Sequence, residues 1–340
     1  TCCQAGFGKS GARFIVSTIF AVNMIGWFGI QNGVCGEAFS NAMLAMTGWD
    51  IPVVVSNTIW GIIMLLTAVY GVHALEKLDK ISIPLLMIIM CYGTFLAFKV
   101  YGTGNLNDEG TVQSMSFMSG VALSFNFTAV GTITGPDYTR FQKSRKDTVK
   151  SVFYGVFPMG VITLIMGIVL TKLSGQYDIS MVLIEVGLPL LGIIALVIST
   201  WTTNSTNAYS AGLNIVMALK LKDNRRREAT LISGIVGIVL CDLGILGHIE
   251  GVLSLLSYVV CPVGGVILAD YWVVGKGKAK NFRPQDGVNW AGVIAWALGA
   301  IISYTLVKIE FDGIIIGFVI YLIAERFIPS ASRDNAENIA

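Results

Sequence analysis

The chain contains ten apolar runs, each close to or above the ~20 residues that an α-helix needs to cross a bilayer. Backbone groups in lipid must be hydrogen-bonded within their own segment, so runs of this length indicate helices. Only 13% of the residues are charged and 54% are hydrophobic, whereas soluble domains carry ~25% charged residues. The sequence therefore predicts an all-α membrane protein, one polytopic domain over 1–340, with spans near 14–36, 52–75, 81–101, 113–134, 151–173, 187–219, 229–247, 251–274, 288–308 and 313–329.

The basic residues predict the orientation of these spans. If the connections alternate between the two sides, all but three of the 23 lysines and arginines fall on one side, and the exceptions are Lys99, Lys172 and Lys308. Such a bias marks the cytoplasmic side, so we expect both chain ends in the cytoplasm and a multi-pass protein of the cell membrane. The bias also accounts for the net charge of +2. The lipid bilayer is thus an expected partner and nucleic acid is not.

The sequence carries no HExxH, Walker A or GxSxG motif, and its six cysteines show no metal-type spacing. We therefore expect no enzyme activity and no cofactor. Asp242 is a lone acid inside a predicted span. Acids in such positions are candidate functional residues, but a place near the end of its span fits an interfacial or helix-packing role equally well.

The run 187–219 has no charged residue, yet its middle is rich in Ser, Thr and Asn. At ~100° per residue, one arc of about 140° holds most of these polar residues, namely Ser199, Thr202, Thr203, Thr206, Asn207 and Ser210, with Asn204 just beyond. Hydroxyls often pack helices together in membranes. A face this polar favours a ligand-lining role instead.

Two other spans carry comparable features. In the first, Asn23, Trp27 and Gln31 follow at i, i+4 and i+8 and form one stripe, which predicts a pocket wall, with a core-packed Trp as the alternative. The fourth span is interrupted by Gly120, Gly131 and Gly135-Pro136, and it places Asn126 between Phe125 and Phe127. Hydrophobic segments interrupted by Gly or Pro are typical of the broken helices that hold substrates in transporters.

Polar faces on spans one, four and six fit an inverted-repeat transporter in which the first and third helices of each five-helix repeat build the site. On this hypothesis 113–275 is the second repeat and 288–329 forms two extra C-terminal helices. The first repeat would then lack its first two helices, and the chain begins with Thr rather than Met. We expect these ten spans to be helices 3–12 of 12.

Several motifs in this order resemble the nucleobase–cation symporters, especially the bacterial cytosine permeases. They are "GWFGI" at 26–30, "GTITGPDYTRF" at 131–141, "WTTNSTNAYSAGL" at 201–213, "PVGGVILADYW" at 262–272 and "VNWAGVIAWALG" at 288–299. The resemblance covers essentially the whole chain. It implies the five-plus-five inverted-repeat (LeuT-like) fold and a place in the bacterial inner membrane.

By this resemblance, Trp27 is the stacking Trp, Phe127 faces it across the substrate, and Gln31 is a substrate-binding amide. Asn204 and Asn207 fall in the family's amide-bearing stretch. With Asn23 and Asn126 from the sequence pattern, the expected substrate set is Trp27, Gln31, Asn23, Asn126, Phe127, Asn204 and Asn207. Thr202 and Thr203 match a hydroxyl pair that ligates sodium together with the carbonyl of Ser199. Two features depart from the cytosine permeases: Met24 stands where they carry Gln, and "GTITGPDY" is one residue longer than their "GTLTADF".

The expected function is import of a nucleobase or related heterocycle of the cytosine, purine, hydantoin or allantoin class by cation symport. Sodium is favoured as the transported ion because the chain shows no buried acid in these helices for a proton relay, although a proton is the alternative. A same-fold symporter for another small solute, such as an amino acid, is a second hypothesis, but no charged clamp is visible. A membrane enzyme or a channel is a third.

Overall fold

The computed structural model describes residues 2–107, 116–139, 142–176, 178–282 and 284–328, without the side chains of 72–74, 105, 107, 132–134 and 136–138. Both the start of the predicted span at 113 and the end of the last one at 329 therefore lie outside the described residues. The described chain is helical, with no strand in these ranges. This confirms the predicted all-α class.

The helices follow the predicted order along the chain. They are α1 Gln4–Gly11, α2 Ser17–Thr47, α3 Val53–Tyr70, α4 Val72–Tyr101, α5 Phe117–Thr139, α6 Arg145–Lys150, α7 Phe157–Ser174, α8 Ile179–Glu185, α9 Pro189–Ala218, α10 Arg226–Asp242, α11 Ile249–Leu268, α12 Trp290–Ile302 and α13 Asp312–Phe327. Short π-helical turns join α1 to α2 and α6 to α7, and others extend α11 and α12.

Each predicted span contains one long helix, and within the described ranges six helical segments are long and apolar enough to cross a membrane. They are Gln4–Thr47, Val53–Tyr70, Leu75–Tyr101, Arg145–Ser174, Ile245–Val274 and Trp290–Val307. The 30-residue α9 is long enough but falls outside this set, because its Ser, Thr and Asn residues lower its hydropathy. Ten membrane crossings and the inverted repeat remain predictions.

The interrupted helix predicted for the fourth span is not observed. Helix α5 runs without a break from Phe117 to Thr139, through all of its glycines and Pro136. A glycine inside a helix costs only about 1 kcal/mol relative to alanine. In lipid, unpaired backbone groups cost several kcal/mol each, so a continuous helix is the more stable outcome.

Helices α2, α3, α9 and α10 pack against one another and form what we call the central bundle. Polar side chains of one helix bond the backbone of the next. Asn204 of α9 donates to the Phe28 carbonyl of α2 at 3.2 Å, and Ser205 donates to the Met64 carbonyl of α3 at 3.0 Å. Such bonds, together with close packing, hold helices together where lipid provides no hydrophobic drive.

Two further bonds extend this pattern to α2 and α10. Asn32 donates to the Asn57 carbonyl at 2.9 Å, and the Asn57 amide donates to the Asp242 carboxylate at 3.3 Å. Thr58 also donates to Asp242, at 3.5 Å. The lone acid predicted as either functional or structural therefore joins α3 to α10.

Small residues let the bundle helices approach closely. A Cβ on Gly212 of α9 would lie 2.8 Å from the Cα of Thr230 on α10, and one on Gly237 would lie 2.5 Å from the Phe28 ring. Close backbone approach at small residues is the usual packing mode of membrane helices. Glycine at these positions therefore sets the spacing between helices.

Helices α11, α12 and α13 form a second group, and α5 packs on α11. Pro262 lies inside α11 and is surrounded by Gly299 of α12 and by Gly313 and Gly317 of α13. A Cβ on Gly299 or Gly313 would come within 3.0 Å of the proline side chain. The absence of side chains on the neighbouring helices thus makes room for the proline.

The N-terminal segment is tied to the loop before α12 by backbone hydrogen bonds. The Lys9 and Ser10 amides donate to the carbonyls of Gln285 and Gly287 at 2.9 and 2.8 Å, and the Asn289 amide donates to the Phe7 carbonyl at 2.8 Å. Gly8 has φ +76°, and a Cβ there would lie 2.7 Å from the Asn289 nitrogen. Only glycine fits this conformation and this close approach.

Helices α4, α7 and α8 lie outside the central bundle, with α4 and α8 against α9 and α7 against α4. Most large apolar side chains of α7 are exposed. An all-round apolar surface of this kind matches a helix that faces lipid.

Candidate functional site

The stripe predicted on α2 is present, but its three side chains lie in different surroundings. Asn23 and Trp27 are 1% and 7% exposed, whereas Gln31 is half-buried. Neither amide atom of Asn23 has a hydrogen-bond partner within the described part of the chain. Buried polar atoms nearly always have partners, so Asn23 marks a place where a polar group could bind.

Trp27 contacts the second predicted aromatic residue directly. The rings of Trp27 and Phe127 are 5.2 Å apart between centroids and lie at 89° to each other, edge to face. Phe127 is 57% exposed, and Trp27 belongs to a core cluster that includes Met24 and Val130. A flat molecule could stack between the two rings only after they separate.

Asn126 precedes Phe127 and is 3% exposed, and its amide oxygen has no partner among the described residues. Two buried amides with unpaired atoms therefore lie near the two aromatic residues along the chain: Asn23 is one turn before Trp27, and Asn126 directly precedes Phe127. Each unpaired buried atom costs about 1–3 kcal/mol. A ligand with complementary donors and acceptors would recover part of this cost.

The amides of α9 already have partners. Asn204 is fully buried and donates to the Phe28 carbonyl and to the Met64 sulfur, and its oxygen accepts from Asn207 at 3.5 Å. Asn207 is half-buried. Asn204 therefore packs against Phe28, the residue after Trp27. For Asn204 to contact substrate as predicted, these hydrogen bonds would have to rearrange.

The three predicted sodium ligands converge on one carbonyl. The hydroxyls of Thr202 and Thr203 both donate to the Ser199 carbonyl oxygen, at 3.0 and 3.1 Å. Ser199 and Thr203 also line a cavity, described below, whereas Thr202 does not. Three oxygens within one helical turn are a partial set of the hard ligands that an alkali cation prefers.

The predicted polar face of α9 differs from its buried face. Thr200, Asn204, Ser205, Ala208 and Ala211 are buried against neighbouring helices, while all six residues of the predicted arc are half-buried or exposed. Four hydroxyls of the arc bond carbonyls of their own helix, namely those of Ser199, Thr202, Thr203 and Thr206. This satisfies them locally, without a partner helix.

A cavity of about 1110 Å³ opens between α2, α3, α4, α8, α9 and α10. Its walls come from the C-terminal halves of α2 and α10 and the N-terminal halves of α3 and α9, the ends that the charge bias predicts to be exterior. Among the predicted site residues Gln31, Ser199 and Thr203 line it. The others, Asn23, Trp27, Asn126, Phe127, Thr202, Asn204 and Asn207, do not.

The cavity also brings together residues that the sequence analysis did not predict as a site. Glu37, Asp178 and Asp242 line it, together with Asn57. Glu37 was missed because the predicted first span ends at residue 36, whereas α2 continues to Thr47 and carries Glu37 onto the wall. Asp178 caps the short α8, accepting from the Ser180 amide at 2.9 Å. None of these three acids is buried, since Glu37 is exposed and Asp178 and Asp242 are half-buried.

Comparison with solved structures gives the fold. The chain resembles Mhp1, a nucleobase-cation-symport-1 family transporter, in a closed conformation with bromovinylhydantoin bound, with a TM-score of 0.74 at 19% identity over 96% of this chain and 78% of Mhp1. The inward-facing conformation of Mhp1 matches with a TM-score of 0.75. These likenesses show that the chain has the all-helical fold of Mhp1.

Comparison of sequences gives the family. Residues 2–326 match the family model described as permease for cytosine/purines, uracil, thiamine, allantoin. The cytosine permease of Escherichia coli K12 is 31% identical over 93% of this chain and 74% of its own length, and the allantoin permease of Bacillus subtilis is 24% identical over 97% and 77%. The resemblance inferred from the motifs is confirmed, and the chain belongs to this family of membrane permeases.

Proposed function

We propose that the protein imports a nucleobase or related heterocycle, of the cytosine, purine, hydantoin or allantoin class, by symport with sodium. One observation carries the choice of substrate: Trp27 and Phe127 contact each other, and the buried amides of Asn23 and Asn126, with unpaired atoms, stand one turn before Trp27 and directly before Phe127 in the chain. The relatives named as cytosine and allantoin permeases support the same class.

The chemistry of a nucleobase suits these residues. A base is flat and uncharged, and its edge carries hydrogen-bond donors and acceptors. Stacking on an aromatic side chain contributes about 1–3 kcal/mol per base. Asn and Gln each present a donor and an acceptor on one planar group, which matches an amide-like edge. In the proposal Trp27 and Phe127 bind the plane, and Asn23, Gln31, Asn126, Asn204 and Asn207 bind the edge.

The ion enters the proposal through α9. Thr202 and Thr203 supply hydroxyl oxygens and Ser199 a carbonyl oxygen, all within one turn. Sodium binding there would order the same helix that carries Asn204 and Asn207. Coupling follows if the ion and the base stabilise the same conformation of α9. A proton is the alternative coupling ion, with the acids on the cavity wall as its candidate carriers.

A same-fold symporter for an amino acid is the second candidate. The carboxylate of an amino acid would require a positive partner. The proposed substrate residues include no Lys, Arg or His, and none in the described part of the chain lines the cavity that Gln31 faces. This favours an uncharged heterocycle. We also propose that the protein lies in the bacterial inner membrane. In this orientation both ends of the chain are in the cytoplasm.

The test is uptake of labelled cytosine with competition by uracil, adenine, hypoxanthine, hydantoin and allantoin, in sodium or in choline. Trp27→Ala should weaken affinity by about five- to 150-fold, the equivalent of one lost stacking face, and Trp27→Phe should retain most of it. Gln31→Leu or Asn207→Leu should reduce discrimination among the bases more than overall affinity. Inhibition constants within twofold of wild type for Trp27→Ala would remove the aromatic pair from the proposal.

A further inference from the structure

Trp272, in the π-helical turn that extends α11, brings together two basic segments that are distant in the chain. The Cζ atom of Arg145 lies over its ring, 5.9 Å from the centroid, a distance at which an aromatic face attracts a cation. On the other segment, a Cβ added to Gly277 would come within 2.9 Å of the same ring. The turn that holds Lys276 and Lys278, on either side of Gly277, therefore packs against Trp272.

Hydrogen bonds hold this turn on the end of α11. The Tyr271 hydroxyl donates to the Gly277 carbonyl at 3.2 Å, and the Gly277 amide donates to the Tyr271 carbonyl at 2.9 Å. The rings of Tyr271 and Trp272 meet edge to face, 5.1 Å apart between centroids. The place of the two lysines relative to Trp272 is therefore set by the fold. We call Arg145, Trp272, Lys276 and Lys278 the Trp272 corner.

The charge of the two segments is almost entirely positive. Residues 142–157 and 271–282 together contain seven basic residues and one acid, Asp147, and Ser144 already bonds this acid. Other basic residues of the described chain, such as Lys9 and Arg225, form ion pairs with acids. None of the ion pairs among the described residues includes any of the seven. The corner therefore carries a positive charge that would attract an anion.

Exposed aromatic and apolar side chains lie in the same two segments. Phe153, Tyr154 and Phe157 follow α6 directly, their rings contact one another, and all three are more than half exposed. Trp272 and Val273 are 50% and 48% exposed. Aromatic rings at the ends of membrane helices typically lie at the level of the lipid headgroups. A soluble anion would leave these surfaces in water, whereas the acyl chains of a lipid would cover them.

We propose that the Trp272 corner binds the headgroup of an anionic phospholipid, with Arg145, Lys276 and Lys278 at its phosphate and Trp272 beside its glycerol backbone. The charge bias predicts this end of the bundle to be cytoplasmic, and the cytoplasmic leaflet carries anionic lipids. Each basic residue near such a surface strengthens binding about fivefold. The proposal does not depend on which substrate the protein transports.

The test is quenching of Trp fluorescence by brominated lipids, on the full chain reconstituted in phosphatidylcholine vesicles. The contribution of Trp272 is the difference between each protein and its Trp272→Phe derivative. Brominated phosphatidylglycerol, which is anionic, should be preferred about fivefold or more over brominated phosphatidylcholine at this residue. The preference should decrease at about 1 M salt, because exposed charges are then screened within about 3 Å.

Variants assign the preference to the corner. Arg145→Gln combined with Lys276→Gln and Lys278→Gln should lower it to less than about twofold. Lys278→Gln alone should lower it in part, which covers the case in which the triple variant is unstable. The matched control removes the same charge from exposed positions of the α9–α10 connection and should keep the preference. Its substitutions are Lys220→Gln, Lys222→Gln and Arg227→Gln.

Three outcomes would overturn the proposal. The first is equal quenching of Trp272 by the two brominated lipids. The second is an equal loss of preference in the control variant, because the effect would then come from the net charge and not from the corner. The third is displacement of the lipid by excess glycerol 3-phosphate at constant ionic strength, which would make the corner a site for soluble anions. Unchanged quenching in that competition supports a lipid.

Discussion

The central bundle and the outer helix α7 are both apolar and helical, but they are held by different contacts. In the bundle, Asn32, Asn204 and Ser205 donate hydrogen bonds to backbone carbonyls of neighbouring helices. On α7, Thr163 bonds only carbonyls of its own helix, those of Met159 and Gly160. Hydroxyls that bond within their own helix leave its position undetermined, whereas bonds between helices fix it.

The two regions also differ in how their glycines are used. Glycines of the bundle, such as Gly212 and Gly237, sit against a neighbouring helix, whereas a Cβ added to Gly160 or Gly167 of α7 would have no described atom of another element within 4 Å. The apolar segment Arg145–Ser174 has none of its most apolar window buried. Hydropathy therefore identifies which segments enter the membrane, and small and polar residues determine which of them form the core.

The largest expected effect comes from filling a close contact in the bundle. Gly212→Ala places a methyl group against the backbone of Thr230 and should destabilise the protein by about 1–3 kcal/mol, as overpacking usually does. The measurement is the thermal unfolding midpoint in detergent. Gly160→Ala on α7 is the control and should be neutral or slightly stabilising, because alanine favours a helix by up to about 1 kcal/mol. Equal effects of the two substitutions would refute the distinction between the regions.

A smaller effect is expected from the hydroxyls on α9. Thr202→Val with Thr203→Val should abolish the sodium stimulation of substrate binding, a loss of about tenfold in affinity at saturating sodium if coupling has its usual strength. Both hydroxyls bond their own helix, so stability should be retained. Binding is measured with and without sodium, and Thr206→Val, one turn along the same face, should keep the stimulation. A double variant with unchanged sodium dependence would exclude these residues as ligands.

The smallest effect concerns a single bond between helices. Ser205→Ala removes the hydroxyl that donates to the Met64 carbonyl and should cost about 0.6 kcal/mol, the average for such bonds in membranes. Thr128→Val on α5, whose hydroxyl bonds its own helix and is exposed, should cost less. Unfolding of both variants under the same conditions decides the comparison. A greater loss for Thr128→Val would reverse it.

The helices were predictable because their signal is local. A run of apolar residues indicates a helix regardless of its neighbours, and each predicted span contains one. The continuity of α5 through Gly131 and Pro136 was not predictable in this way. Whether a glycine interrupts a helix depends on the balance between its small intrinsic cost and the cost of unpaired backbone in its surroundings.

The site was predictable only in part. Periodicity placed Asn23, Trp27 and Gln31 on one stripe, but it could not show that Trp27 and Phe127 touch, since that contact depends on how α2 and α5 pack. The polar arc on α9 was predicted to line a ligand site, and Ser199 and Thr203 of the arc line the cavity, whereas the buried face of the helix carries Thr200 and Ala208. A helical wheel gives the relative angles of residues and not the direction in which the helix is turned.

The acids that line the cavity were harder to predict than the aromatic and amide residues. Asp242 was recognised as unusual, but Glu37 and Asp178 fell in segments taken as connections. They meet Asp242 only because α2 extends past its apolar run and α8 folds back against α9. No property of a single segment contains this information.

The pairing between residues 7–10 and 285–289 has a consequence for biosynthesis. The partners are 277 residues apart for the Lys9–Asp286 contact, and a ribosome makes about 5–20 residues per second. Helix α1 must therefore wait roughly 15 to 55 seconds for the stretch of backbone that will hold it. During that interval the early helices can insert and associate, but residues 7–10 have no partner yet. A stall or truncation before residue 285 would release a chain whose central bundle can form while residues 7–10 stay unanchored, a form that quality-control proteases could recognise at that segment.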